Sequence, residues 1–323
     1  MTQKTPNYGF YGRLRAEFPS QVIVDATEHC NLACTHCPHP SFKKSEHYSG
    51  SRLDPALNAK MVDEVSNAGN GITQYIRYTA NGEPLLHPNI FEMLQYSASN
   101  SATKVCLTTN GTLLTEERVA ALLDTNIYLI DVSIDAYSPE TYAKIRVRGD
   151  LEVTNSGTMR LLQAKQRAQS ATKIIVSYVE QKENRDETEQ FETFWKEQGV
   201  DYVVVRRLHS ASGAKEDTAS ELHQIGQETE RRPCLYPWER ISLNARGHLS
   251  FCPSDWLHGS EMCDYRDTTI QEVWSNSFYR KLREAHLSNN FDGYSFCEQC
   301  PDWQLTRWPG AGRSYADMVE EFD

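Results

Sequence analysis

The chain has 323 residues, 33 of them Lys or Arg and 44 Asp or Glu, for a formal charge of −11 with histidine neutral. That balance excludes a general nucleic-acid binder, whose footprint is basic, and 39% hydrophobic with 24% charged residues excludes disordered and fibrous chains. No apolar run is long enough to span a bilayer and the first twenty residues lack the core of a signal peptide, so no membrane attachment and a cytoplasmic location are expected. Nine cysteines in such a compartment point to metal or cluster ligation rather than to disulfides.

In chain order, residues 1–20 read as an N-terminal extension carrying Tyr8, Phe10, Tyr11 and Phe18 with Arg13 and Arg15. Short apolar runs at Gln21–Ala26, Ile76–Thr79, Lys104–Thr108, Tyr128–Ser133, Lys173–Val179 and Tyr202–Arg206 read as strands. Between them Pro55–Ala68, Pro88–Ser97, Thr115–Asp124, Pro139–Arg146, Thr154–Ala168 and Glu187–Gln198 space apolar residues three or four apart, several opening at Pro or at an Asp/Thr cap. Six strand-helix units predict an α/β fold, a parallel sheet curled into a partial (β/α)6 TIM barrel over 21–209, with its chemistry at the carboxyl ends of the strands. The polar stretch 210–232 reads as a linker. A small domain follows at 233–308, with a hairpin signal where Glu239–Leu243 and Leu249–Phe251 flank Ala245-Arg246-Gly247, a helix over Thr269–His286 and a Cys-rich end. Residues 309–323 are a tail.

Cys30, Cys34 and Cys37 converge on the loop after the first strand. Three thiolates on a four-iron, four-sulfur (4Fe-4S) cluster leave one iron open to a small chelating molecule; a zinc knuckle would need a fourth ligand close by, and His36 is squeezed between two of the three. This pattern resembles the radical S-adenosylmethionine (SAM) superfamily. Asn81-Gly82-Glu83-Pro84 after the second strand looks like that family's motif for the methionine amino group, with Asn81 where Gly is usual, and Thr109-Asn110-Gly111 ends the third strand as the family's do. By the same resemblance Ser133 and Asp135 close the fourth strand where the family contacts SAM, followed by Tyr142 and Ile145-Arg146; Arg146 and Ser177 reach the SAM carboxylate or ribose, and His36 stands where an aromatic residue stacks near adenine. The resemblance implies S-adenosyl-L-methionine as cofactor, a reductant such as flavodoxin or ferredoxin, and hydrogen-atom abstraction from substrate.

Cys234, Cys252, Cys297 and Cys300 can close a second site, which the spacing alone leaves between a zinc ribbon and iron-sulfur. The extension resembles the Twitch domain of radical SAM enzymes, a shortened SPASM β-hairpin/helix domain holding one auxiliary 4Fe-4S cluster, which implies iron-sulfur. Of the two remaining cysteines, Cys106 reads as a small buried hydrophobe. Cys263 falls where related domains carry a glycine in a loop expected to face the barrel mouth, and either returns a hydrogen atom to a substrate radical or fills space. Within the Twitch group the resemblance points to carbohydrate chemistry. Cys263 favours epimerisation, as in neomycin C epimerase; oxidation of a ring alcohol, as in the dehydrogenase of the butirosin pathway, needs a base, for which Glu180, Asp255 and His209 are candidates. Peptide modification is the further alternative. The acidic balance suits a cationic amino sugar as small-molecule substrate.

Overall fold

The computed structural model describes residues 17–79, 81–226 and 231–305. The extension up to residue 16 and the tail 309–323 lie outside the described residues. Six strands run in chain order, β1 (Gln21–Val24), β2 (Tyr75–Tyr78), β3 (Lys104–Thr109), β4 (Leu129–Ser133), β5 (Lys173–Glu180) and β6 (Tyr202–Arg207), each paired in parallel with the next. The crossovers carry α1 (His39–Phe42), α2 (Pro55–Asn67), α3 (Ile90–Asn100), α4 (Glu116–Asp124), α5 (Pro139–Ile145), α6 (Leu151–Ala168) and α7 (Thr188–Glu197). Their starts follow local chemistry. Asp54 accepts the Ala56 N–H ahead of Pro55, Thr115 that of Arg118, and Ser138 that of Thr141, each satisfying an amide a helix leaves orphaned.

Alternation along the strands sorts the two faces. Val22, Val24, Ile76, Tyr78, Val105, Leu107, Ile130, Val132, Ile174 and Val176 join one core with the helices. Burying each such aliphatic side chain is worth roughly 1.5–3 kcal/mol. The residues between them face the lumen, where Tyr75, Cys106, Leu129 and Ile175 make a separate apolar layer. Above it Arg77 and Arg206 both reach Asp131 Oδ2, at 3.4 and 2.5 Å.

The C-terminal part does not stand apart from this sheet. After α8 (Glu216–Gly226) and α9 (Tyr236–Glu239), β7 (Arg240–Leu243) pairs in parallel with β1, and β8 (His248–Ser250) and β9 (Glu261–Asp264) extend it antiparallel into a nine-stranded sheet of order β6-β5-β4-β3-β2-β1-β7-β8-β9. α10 (Ile270–Ser275), α11 (Ser277–Ser288) and α12 (Ser295–Gln299) cover it. Two expectations are corrected. The stretch read as a linker carries α8 and packs down, Ser210 and Ser212 both being held by Asp302. The single helix expected over Thr269–His286 is broken at Asn276, whose extended backbone (ψ 172°) ends α10 and whose side chain caps α11 by accepting the Tyr279 N–H.

Candidate active site

Three loops at the carboxyl ends of β1, β2 and β3 build one side of the site. The cysteine loop is pinned from outside, with Ala33 and Thr35 donating to the carbonyls of Val147 and Ile145 at 2.9 Å each. Gly82 lies against it so closely that a Cβ there would stand 1.9 Å from the Thr27 carbonyl oxygen, which is why that position has no side chain. The next residue, Glu83, is buried. Its carboxylate accepts from the Asn110 N–H (2.7 Å), the Thr109 hydroxyl (2.7 Å) and the Leu85 N–H (3.1 Å), so the end of β3 aims it. Burial pushes its pKa up, against the pull of those donors. Asn110 also reaches into the cysteine loop, donating to Asn31 at 2.9 Å, while Gly111 turns the chain at φ 76°.

The other side comes from β4, β5 and the turn after α5. Arg146 is 5% exposed and forks three ways, with Nη1 3.7 Å from Cys34 Sγ and Nη2 donating to Ser133 Oγ and pairing with Asp135 Oδ2 at 2.6 Å. Asp135 takes the left-handed backbone (φ 67°) that aspartate tolerates better than most residues, and its Oδ1 accepts the Val179 N–H at 2.7 Å. His36 stands 3.6 Å from Asp135 and 3.5 Å from Gln181 Nε2; burial lowers its pKa to about 4, so it is a neutral ring at neutral pH. Ser177 Oγ and Asn81 Oδ1 are buried without a hydrogen-bond partner among the described residues. Thus Cys34, Ser133, Asp135 and Arg146 share one polar cluster that His36 borders, and Asn81, Gly82, Glu83 and Asn110 with the cysteine loop form the other wall.

Burial raises the Cys30 thiol to about 11 and the Cys37 thiol to about 12, so these sulfurs ionise only against a positive metal centre. The second set, Cys234, Cys252, Cys297 and Cys300, lines a cavity of about 730 Å³ shared with the lumen-facing Arg206 of β6. A zinc site draws its sulfurs to about 2.3 Å of one ion. All four thiols line the one cavity, and the match to an iron-sulfur cluster-binding domain described below, not the spacing, decides between zinc and iron-sulfur. The three-thiol loop, the four-thiol cavity and the Ser177 and Asn81 oxygens, unpartnered among the described residues, are donors of the kind that SAM and two 4Fe-4S clusters take.

Several sequence expectations are not brought together. Cys263 lies in β9, not in a loop at the barrel mouth. It pairs with Leu249, which pairs with Leu243, and it packs against the helix-side core that holds both leucines, because directly opposed residues share a face. Asp255 is saturated, accepting from Leu257, Gly259 and twice from Ser260, and serves the loop after Cys252 rather than a substrate proton. Glu180 is exposed and His209 Nδ1 accepts the Ala211 N–H. Sequence reading also missed Asn31 and Gln181, which contact the assigned residues Asn110 and His36 and carry no local signal; Thr109, named there only as part of the Thr-Asn-Gly turn, proves to hold Glu83.

Comparisons with known proteins agree with this geometry. Residues 24–191 match the radical SAM superfamily and residues 234–301 match an iron-sulfur cluster-binding domain. GTP 3',8-cyclase of Chlorobaculum tepidum is 33% identical over 142 residues, 44% of this chain and 40% of the relative, so the match spans less than half the length of that protein. Among solved structures, BtrN in complex with AdoMet and 2-DOIA superposes with a TM-score of 0.58 at 17% identity over 87% of this chain and 92% of BtrN. SuiB of Streptococcus suis bound to precursor peptide SuiA superposes with a TM-score of 0.66 at 11% identity over 97% of this chain and 75% of SuiB. The three-cysteine loop and the strand-end residues around it are accordingly those of a member of the radical SAM superfamily, to which this chain belongs, with SAM and two 4Fe-4S clusters as its cofactors.

Proposed function

We propose that this radical SAM enzyme oxidises a hydroxyl-bearing small molecule by two electrons. A cluster held by Cys30, Cys34 and Cys37 with SAM would supply, given one electron from an external reductant, reductive cleavage of SAM and removal of a hydrogen atom from substrate carbon, and a cluster held by Cys234, Cys252, Cys297 and Cys300 would supply the acceptor for the second electron, the hydroxyl proton leaving to water. The chain's own part is positional. Glu83, held by the end of β3, offers its carboxylate to an amino group, while Ser133, Ser177 and Arg146 offer hydroxyls and a guanidinium to the carboxylate and ribose of SAM.

One observation carries the reading. The four auxiliary cysteines line one cavity together with Arg206 of β6, whereas Cys263, in β9, lies outside that lining. A thiol there is poorly placed to return a hydrogen atom to a radical in the lumen, so epimerisation through Cys263 lacks support. The cationic amino sugar lacks support too. Arginines in the cavity wall (206, 207, 231, 232 and 240) outnumber the carboxylates of Glu192, Glu239 and Asp302, and the whole-chain charge is not the local one. Anaerobic turnover in deuterated water, with a panel of polyols, sugar acids and amino sugars and detection by mass spectrometry, tests the proposal. A product lighter by two hydrogens is expected. A product heavier by one deuterium would overturn oxidation in favour of hydrogen return.

A further inference from the structure

His286 closes one wall of the four-cysteine cavity. It projects from α11, is 4% exposed, and lies edge-on to Phe291 and Trp238 with ring centroids 4.9 and 6.1 Å away. Its Nδ1 is 3.3 Å from the backbone nitrogen of Cys234. A backbone N–H only donates, so Nδ1 is the acceptor and carries no proton, and the neutral ring must hold its hydrogen on Nε2. That Nε2–H is buried and has no hydrogen-bond partner among the described residues. Leaving such a donor unmatched costs roughly 1–3 kcal/mol. The cavity it shares with four thiols is where the acceptor belongs, and there the acceptor is sulfur.

We propose that His286 Nε2–H donates a hydrogen bond to a sulfur of the auxiliary cluster and thereby raises its reduction potential. The inference rests on the reading that the four cysteines hold that cluster. Two neighbours act in the same sense. Ser212 Oγ is 3.4 Å from Cys252 Sγ, and Arg231, which donates to the carbonyls of Cys297 and Glu298, brings a positive charge to the same wall. Donors and a cation around sulfur stabilise the reduced, more negative cluster, which suits an acceptor of the substrate's second electron. His286 is therefore a positioning residue for Cys234 through one nitrogen and sets the potential through the other.

Redox titration of the reconstituted protein followed by electron paramagnetic resonance separates the two nitrogens. In His286→Asn the amide oxygen can still accept the Cys234 N–H but the far donor is lost, so the auxiliary midpoint should move to more negative potential while the SAM cluster's stays. In His286→Gln an amide N–H returns to the far position and the midpoint should move back. Pulsed resonance on the wild-type enzyme carrying isotope-labelled histidine should show a histidine nitrogen coupled to the reduced auxiliary cluster, and it decides the matter if a variant fails to assemble. Two clusters, an unshifted midpoint in His286→Asn and no histidine coupling would overturn the hydrogen bond. A wild-type protein that binds only the SAM cluster would overturn the four-cysteine reading as well.

Discussion

Replacing Arg146 with alanine removes one side chain and three contacts. Asp135, with no exposed surface, would lose its only ion-pairing guanidinium among the described residues, and an unpaired buried charge costs about 3–5 kcal/mol. We expect Arg146→Ala to lower the urea midpoint of the apo-protein and to suppress 5'-deoxyadenosine formation; an unchanged midpoint would show that Asp135 is not paired as described. His87 uses both ring nitrogens, Nε2 on the Leu53 carbonyl at 2.9 Å and Nδ1 on the Asn89 N–H at 3.1 Å, and burial lowers its pKa from 6.5. The folded chain then binds this proton less readily than the unfolded chain does. Its contribution is present above pH 6.5 and is lost as pH falls through the folded pKa, by up to about 1.4 kcal/mol per pH unit. Denaturation of the apo-protein between pH 7 and pH 5 should show this slope, and His87→Gln should flatten it.

Among the elements, β9 settles what a substitution at Cys263 does. The residue packs at the border of the core on an edge strand, so Cys263→Ala should cost about 1 kcal/mol and leave SAM cleavage and the product unchanged. A lost or altered product in that variant would return the thiol to the chemistry. The six barrel strands were legible because parallel strands covered on both faces read as apolar runs, and their helices because caps such as Asp54 and Thr115 stand in the sequence. β9, Glu-Met-Cys-Asp, has neither alternation nor β-branched residues, and it pairs with β8 across a ten-residue loop, 251–260, that Asp255 braces. α8 was hidden because its apolar stripe is narrow, Ala219 and Leu222 being the buried ones among its described side chains. Within the site, the three-cysteine loop was legible from spacing alone, whereas Arg146 touching Cys34 depends on residues 112 apart that no local pattern relates.

For the whole molecule, the two cysteine sites are tied by direct contacts. Asn81 Nδ2 donates to the Asp255 carbonyl at 3.0 Å, Lys215 Nζ to the Thr35 carbonyl at 2.7 Å, and Trp256 packs edge-on against Phe42 at 5.5 Å. Each ligand set nevertheless has its own loops. Cys30→Ala should therefore abolish 5'-deoxyadenosine formation, while Cys297→Ala should keep some of it and lose product; deoxyadenosine in full yield from Cys30→Ala would refute the assignment of the first loop. The cross-contacts were invisible in sequence because they join segments up to 214 residues apart, Trp256 and His258 landing on α1 and its flank only once β7 to β9 have joined the sheet.

The pairing of β7 with β1 has a consequence for how the chain is made. β1 leaves the ribosome before every other described strand, yet one of its two neighbours is synthesised more than two hundred residues later. Until then its outer N–H and C=O groups are an open edge that could pair with another chain. Slow closure of such distant contacts makes synthesis a hazardous interval, and a nascent chain halted before β7 should be captured by chaperones or found in inclusion bodies. The segment from Cys234 onward thus covers the β1 edge late in biosynthesis, and it cannot be exchanged as a detachable module without exposing that strand again.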